Sequence, residues 1–270
     1  MAKAINVLSQ GQSVGNSVVS SSLVRRIIFY VLLLALWQLL SLSGIWPDYL
    51  FPGPLAVLGS LVDGFQNGQF LQGSLVSIQR LLIGYGISLV LGVILGLLIG
   101  RSRILEQTVG SLILGLQSLP SICWLPIAIL WLGLDEQAII FVVVMGALFS
   151  ITLGVDAGVK NTPPIYLKAA RNLGARGVAL SAQVILPAAL PAILNGLKQG
   201  WTFAWRSLMA AELIYVSVSL GNLLNNARDL NDVSQVMAVM LVIIFIGVTI
   251  DGLIFSPLER RVRKRWGLIR

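Results

Sequence analysis

The 270-residue chain has no histidine and a single cysteine, Cys123. The first absence excludes imidazole catalysis, Ser-His-Asp triads and histidine-ligated metals. The second excludes an internal disulfide, iron–sulfur clusters and cysteine-rich zinc sites. Charge is scarce as well: Asp, Glu, Lys and Arg make up 11% of the chain, less than half of the roughly 25% usual in soluble domains. No Gly-rich phosphate loop of the Gly-x-x-x-x-Gly-Lys-Ser/Thr type occurs, so ATP is not bound by that route. What is present is apolar: 56% of the residues are hydrophobic and the mean hydropathy is +0.88. This excludes a cytosolic enzyme, a disordered chain and a secreted disulfide scaffold. It implies an all-α polytopic membrane protein.

A spanning helix needs about 20 mostly apolar residues. Six stretches qualify, at 27–45, 76–100, 107–134, 137–155, 183–215 and 234–256. Trp37 and Trp46 stand at the first where an interfacial belt belongs. The second is spaced by Gly84, Gly86, Gly92, Gly96 and Gly100, which allows close helix packing in lipid. The third, the charge-free Gln107–Leu134, contains Pro120 and Pro126 and is longer than one straight span. These prolines either kink one helix or split it into halves; one kinked span is expected. Between the first two spans, Phe51-Pro52-Gly53-Pro54 is turn chemistry, followed by an amphipathic stretch at 55–65.

The net charge of +8 does not indicate nucleic acid, because the basic residues are distributed as topology signals. Lys3, Arg25, Arg26, Arg101, Arg103, Lys160, Lys168, Arg171, Arg176 and the cluster Arg260, Arg261, Arg263, Lys264, Arg265 and Arg270 all fall on one side of a six-span arrangement. The opposite loops carry Asp48, Asp63, Asp135, Glu136, Asp229 and Asp232 against the single basic Arg228. The asymmetry places both termini in the cytoplasm. The chain then divides into a cytoplasmic tail at 1–24, a first span and outer loop at 25–70, a core at 71–258 and a basic cytoplasmic tail at 259–270.

Between the fourth and fifth spans, Thr162-Pro163-Pro164 begins a helix and Gly174 ends it. Ile165, Tyr166, Ala169, Ala170 and Leu173 recur on one face, with Lys168, Arg171 and Asn172 off it. Such a short cytoplasmic helix either inserts into a groove on a partner or rests on lipid headgroups. Downstream, Ala169-Ala170 is followed after three residues by Gly174 and after nine more by Val184-Ile185-Leu186-Pro187. The order resembles the EAA signature of ABC importer permeases, with identity at Ala169, Ala170, Gly174, Leu186 and Pro187. Lys168 stands where that signature has Glu, which removes the carboxylate contact and leaves the docking shape. Ser77–Tyr85, Leu130–Leu134 and Leu186–Pro191 resemble the nitrate/sulfonate/taurine/bicarbonate branch of that family, and the resemblance covers about residues 50–265.

The resemblance implies a type I importer permease fold with an EAA-like loop at 161–187. It implies a non-catalytic transmembrane subunit in the bacterial inner membrane, paired with a second permease subunit, expected to be a second copy. Two cytoplasmic ATPase subunits would hold ATP and Mg, so this chain itself holds no cofactor. An external or periplasmic binding protein would deliver a small oxyanion or organosulfonate. The ATPase would dock on Ile165, Tyr166, Lys168, Ala169, Ala170, Arg171, Leu173 and Gly174. A vitamin-precursor-type solute is the alternative cargo within this branch. An ion-gradient-driven transporter is the alternative mechanism; Glu212 and Asp251 are the carboxylates it would have to use.

Charged residues inside spans cost about 2.5–3.5 kcal/mol on insertion scales, so each asks for a reason. Arg80 opens the second span, Lys198, Arg206 and Glu212 fall along the fifth, and Asp251 falls in the sixth. Arg80, Arg206 and Glu212 are the candidate pathway residues. Arg206 either faces a polar pathway and attracts an anion or pairs with a carboxylate, Glu212 of another subunit or Asp251. An Arg80–Glu212 pair is the corresponding structural reading for those two. Trp201 and Trp205, one helical turn apart, fit helix packing or lipid contact better than a cavity lining. Ser118, Ser121 and Cys123, near Pro120, fit packing better than the lining of a kink, and Gly221–Asn226 begins an outer loop.

Overall fold

The computed structural model describes residues 23–267, and these are helical with no strand among them. The expected tail at 1–24 lies almost wholly outside the described residues. Five helices are long and apolar enough to cross a membrane: α1 (Leu23–Leu42), α3 (Gln69–Arg101), α6 (Glu136–Lys160), α8 (Gly177–Glu212) and α10 (Val233–Arg265). A sixth apolar segment is broken into α4 (Arg103–Gln117) and α5 (Ser121–Leu132), bent by 104°. Three shorter helices complete the fold: α2 (Pro54–Gln66), α7 (Pro164–Asn172) and α9 (Leu220–Asp229).

The core is a slab of α3, α6 and α8, in contact through small residues. Gly84, Gly92, Gly96 and Gly100 of α3 meet Val143, Ile151, Val155 and Val159 of α6 in turn. The two sequences advance together, so α3 and α6 run parallel. On the other face of α6, Gly146, Gly154 and Gly158 meet Ser207, Gly196 and Ala189, so α8 runs antiparallel to α6. A Cβ on Gly196 would stand 2.7 Å from Cα of Gly154, a distance no side chain tolerates. Without apolar segregation from lipid to drive association, such close backbone approach is what holds membrane helices together.

The parallel register settles what the broken segment does. A chain leaving α3 at Arg101 must return the full length of the slab before α6 begins at Glu136. The α4–α5 pair is therefore a crossing, and the described chain makes six. The expected single kinked helix is corrected here. The chain leaves helical geometry at Ser118–Pro120, where Pro120 takes φ −55° and ψ 132°. Proline cannot donate to the preceding turn and drives the residue before it out of helical geometry. The stretch expected at 55–65 is α2, started by Pro54 and packed through Val57 and Leu61 against α10. Gly68, at φ +77°, makes the tight turn from α2 to α3. α1 is fastened to the following loop by Trp37 Nε1 donating to Pro52 O (3.1 Å) and Ser41 Oγ donating to Phe51 O (3.3 Å).

α8 and α10 each contain one π-helical turn, Ser181–Ile185 and Asp251–Phe255. Both precede a proline, Pro187 and Pro257. The missing N–H leaves the carbonyl four residues earlier without its usual partner, and the local register widens to accommodate it. α10 continues as helix to Arg265, so most of the basic tail at 259–270 extends the last span.

Candidate functional site

Three places in the fold gather polar groups. The first ties the slab at the end where α9 lies. Arg80 of α3 is 4% exposed and Glu212, the last residue of α8, is fully buried. Arg80 Nη1 donates to Glu212 Oε1 (3.2 Å) and Ser217 Oγ (3.1 Å), and Arg80 Nε donates to Glu136 Oε1 (3.0 Å). The other Glu212 oxygen accepts from Ser77 Oγ (2.7 Å) and from the Gly221 N–H (3.2 Å). Ser77 Oγ in turn accepts from the Leu220 N–H (3.1 Å). The guanidinium lies 5.5 Å from the Tyr215 ring centroid. One cluster thus joins α3, α6, α8 and the start of α9. A buried pair satisfied this fully is costly to break from one side, about 3–5 kcal/mol, because the remaining charge has nowhere to go.

Arg206 is not part of that cluster, although it lies on the same helix six residues before Glu212. It is exposed and forms no hydrogen bond or ion pair among the described residues. Neither carboxylate considered as its partner is available. Glu212 is held by Arg80, and Asp251 Oδ1 lies 3.1 Å from Lys198 Nζ. Arg206 instead lines a cavity of about 410 Å³ between α8, α6 and the α4–α5 break, and it is the cavity's only charged residue. Gln117, Ser118 and Ser121 supply the other polar side chains. Trp124, Phe149 and Phe203 form much of the apolar wall. Arg206 also ends a row of exposed polar residues, Asn195, Gln199 and Thr202, whose spacing places all four on one side of α8.

The third place is α7. Its start differs from the expectation. Thr162 is buried and its hydroxyl donates to Gly158 O (3.0 Å), closing the end of α6, while Pro163 occupies the cap position of α7 without a side-chain cap. A hydroxyl already engaged by the preceding helix cannot also cap the next. The end matches: Gly174 takes φ +88°. Its N–H bonds Arg171 O (3.0 Å) while the Ala175 N–H reaches back to Ala170 O (2.9 Å), a Schellman closure. The apolar face divides in two. Ala170 is buried and Leu167 half-buried against the body, whereas Ile165, Tyr166, Ala169 and Leu173 are exposed. Lys168 and Arg171 are exposed beside them.

Ion pairs reinforce the α7 side of the slab. Lys160 Nζ lies 2.7 Å from Asp156 Oδ2 and 2.9 Å from Glu106 Oε1, joining α6 to α4. Lys198 bridges α8 to Asp251 and, at 3.7 Å, to Glu259 of α10. Arg101 donates to the Ser181 hydroxyl and to Gly177 O (3.2 Å), joining α3 to the start of α8. Trp201 packs against Tyr85 and Phe255, with centroids 5.2 and 5.7 Å apart, as the packing reading expects.

Sequence reasoning missed Glu136 as a partner of Arg80. It missed Gln117, Phe149 and Phe203 as cavity walls, Leu167 as the inner anchor of α7, and Asp156, which falls just beyond the span end expected at 155. The row Asn195, Gln199, Thr202 and Arg206 was legible as polar residues recurring at helical spacing within an apolar span. The remaining contacts join residues far apart in the chain and leave no periodic trace.

Comparison with known proteins follows the same lines. Residues 88–264 match the family described as binding-protein-dependent transport system inner membrane component. A putative ABC transporter permease protein of Methanocaldococcus jannaschii is 32% identical over 237 residues, covering 86% of this chain and 88% of that one. The putative aliphatic sulfonates transport permease protein SsuC of Escherichia coli K12 is 33% identical over 234 residues, covering 87% of this chain and 88% of that one. A crystal structure of an amino acid ABC transporter with histidines superposes with a TM-score of 0.61 at 17% identity. It covers 74% of this chain and 97% of that one, and shows a shared fold.

Proposed function

The chain belongs to the family of binding-protein-dependent transport system inner membrane components, and from that membership we propose that it is the permease subunit of an ATP-driven importer for a small oxyanion or organosulfonate. An external binding protein delivers the solute, and separate cytoplasmic ATPase subunits carry ATP and Mg. The subunit lies in the bacterial inner membrane with both termini and α7 on the cytoplasmic side, a reading supported by the one-sided basic residues. Sulfonates are the cargo named for the Escherichia coli relative.

The observation that carries the anion reading is Arg206, a cation in a spanning helix without a counter-charge among the described residues. Such a group is too costly to leave facing hydrocarbon, so a second permease subunit, a second copy of this chain in our reading, encloses it together with the polar row Asn195, Gln199 and Thr202. The ion-gradient alternative lacks material, since Glu212 and Asp251 are both engaged with cations. Arg80 and Glu212 act in this reading as a brace that makes the slab move as one piece.

Coupling runs through α7. Ile165, Tyr166, Ala169 and Leu173 offer an apolar strip to a groove on the ATPase, flanked by Lys168 and Arg171. Ala170 and Leu167 fix the helix against the body, and Gly174 ends it. α7 connects α6 directly to α8, so its displacement on ATPase closure is transmitted to the two central helices of the slab. That motion exposes the pathway alternately to each side. The test is uptake by the assembled importer in sealed vesicles. Import that needs internal ATP and is indifferent to protonophores is expected. Import that persists without ATP and collapses with the ion gradient overturns the proposal.

A further inference from the structure

Resting on that reading, we propose that the cavity at the α4–α5 break is a solute-binding subsite within the permease itself, built for an oxyanion that carries a small apolar substituent. The donors are specific. Arg206 has its whole guanidinium fork free of partners among the described residues. Gln117 gives one amide hydrogen to Ser150 Oγ (3.2 Å) and keeps the other. The Ser118 hydroxyl is occupied by Gly115 O (2.7 Å), whereas Ser121 has no partner among the described residues. Three donors with no carboxylate among the lining residues select for negative charge.

The rest of the wall selects for a tail. Trp124, Phe149 and Phe203 surround a volume of about 410 Å³. That falls within the range of small-molecule sites, roughly 300–1,000 Å³, and exceeds what a bare nitrate or bicarbonate fills. A bare inorganic oxyanion would satisfy the donors and leave the aromatic wall wet. An alkanesulfonate satisfies both. One buried methylene contributes about 0.8 kcal/mol, roughly fourfold in affinity. The break that opens this cavity interrupts the crossing segment beside the slab, so a bound solute can influence how α4 and α5 lie against α8. Selection is thus made twice, once by the external binding protein and again inside the membrane subunit.

The experiment uses the full-length chain in lipid nanodiscs, titrated with nitrate, methane-, propane- and pentanesulfonate and propylammonium while tryptophan fluorescence is followed. Sulfonates are expected to bind with affinity rising roughly fourfold per methylene, nitrate at least tenfold more weakly than propanesulfonate, and propylammonium not at all. Trp124→Phe should remove most of the signal, which locates the ligand. Phe203→Ala should flatten the chain-length dependence and keep anion binding, and Arg206→Gln should abolish binding. Equal affinity for nitrate and pentanesulfonate, or an undiminished signal in Trp124→Phe, overturns the subsite. Absence of binding to the wild-type chain combined with lost uptake in Arg206→Gln also overturns it, and leaves the pathway role of Arg206 standing. Full uptake in Arg206→Gln overturns the pathway role instead.

Discussion

Helix α8 carries two charged side chains six residues apart with opposite fates. Glu212 is fully buried and accepts hydrogen bonds from Arg80, Ser77 and the Gly221 N–H. Arg206 is exposed to a cavity with no partner among the described residues. Both charges are expensive in an apolar span, so the difference lies in how the cost is met. Around Glu212 the protein supplies every partner and gains a rigid joint between α3, α6, α8 and α9. Around Arg206 the described residues supply none and leave the position open to something that arrives from outside. Charges that are satisfied hold a membrane protein together, and charges left unsatisfied are the ones free to act on a solute.

The largest effect should come from breaking the satisfied site. Glu212→Ala takes away the buried partner of Arg80 and leaves it only the half-exposed Glu136, so a loss towards the lower end of about 3–5 kcal/mol is expected, seen as a failure to accumulate folded protein in the membrane. The double variant Arg80→Met/Glu212→Leu should be less damaged than Glu212→Ala alone, because the one charge it leaves unpaired, Glu136, is half-exposed rather than buried. Equal damage in both would show that shape rather than charge makes the joint.

The open site should respond in the reverse manner. Arg206→Gln is expected to lower uptake roughly ten- to hundredfold, the worth of one charge-assisted contact of about 1.5–3 kcal/mol. Thermal stability in detergent should stay unchanged. Parallel loss of uptake and stability would erase the contrast between the two sites.

A smaller effect on the isolated chain, but not on its assembly, is expected at α7. Leu173, 89% exposed, can become Asp without disturbing the fold, yet it would place a carboxylate in the apolar strip. Co-purification with the ATPase should fall by more than tenfold, as at a binding hot spot. The smallest effect belongs to Lys198→Gln. Its pairs with Asp251 and Glu259 are part-exposed, and such pairs contribute at most about 1 kcal/mol, so a melting shift of a few degrees or less is expected.

Legibility of the fold in the sequence followed physical scale. The need to fill a bilayer with apolar helix is imposed residue by residue, so the spans appear in composition alone. The glycine row from Gly84 to Gly100 was visible for the same reason, because close approach demands small residues at every turn. α7 was bounded by Pro164 and Gly174, whose backbone preferences are intrinsic. The misreadings arose where one local signal had two uses. Thr162 is a good cap but serves the helix before it. Pro120 can kink or break, and only the surrounding packing selects a bend of 104°. Ala170 and Ala169 are identical in type, and the body of the protein decides which one faces inward.

The sequence by itself determined that this chain lives in the membrane, crosses it repeatedly, carries its basic residues on one side and projects a short amphipathic helix there. Each of these follows from properties that residues have individually or at fixed helical spacing. The tertiary structure alone decided that Arg80 meets Glu212 across 132 positions of chain, that Asp251 is taken by Lys198 and that Arg206 is left without a partner among the described residues. Pairing depends on which side chains come within about 4 Å of one another, and that distance is fixed only once the helices have packed.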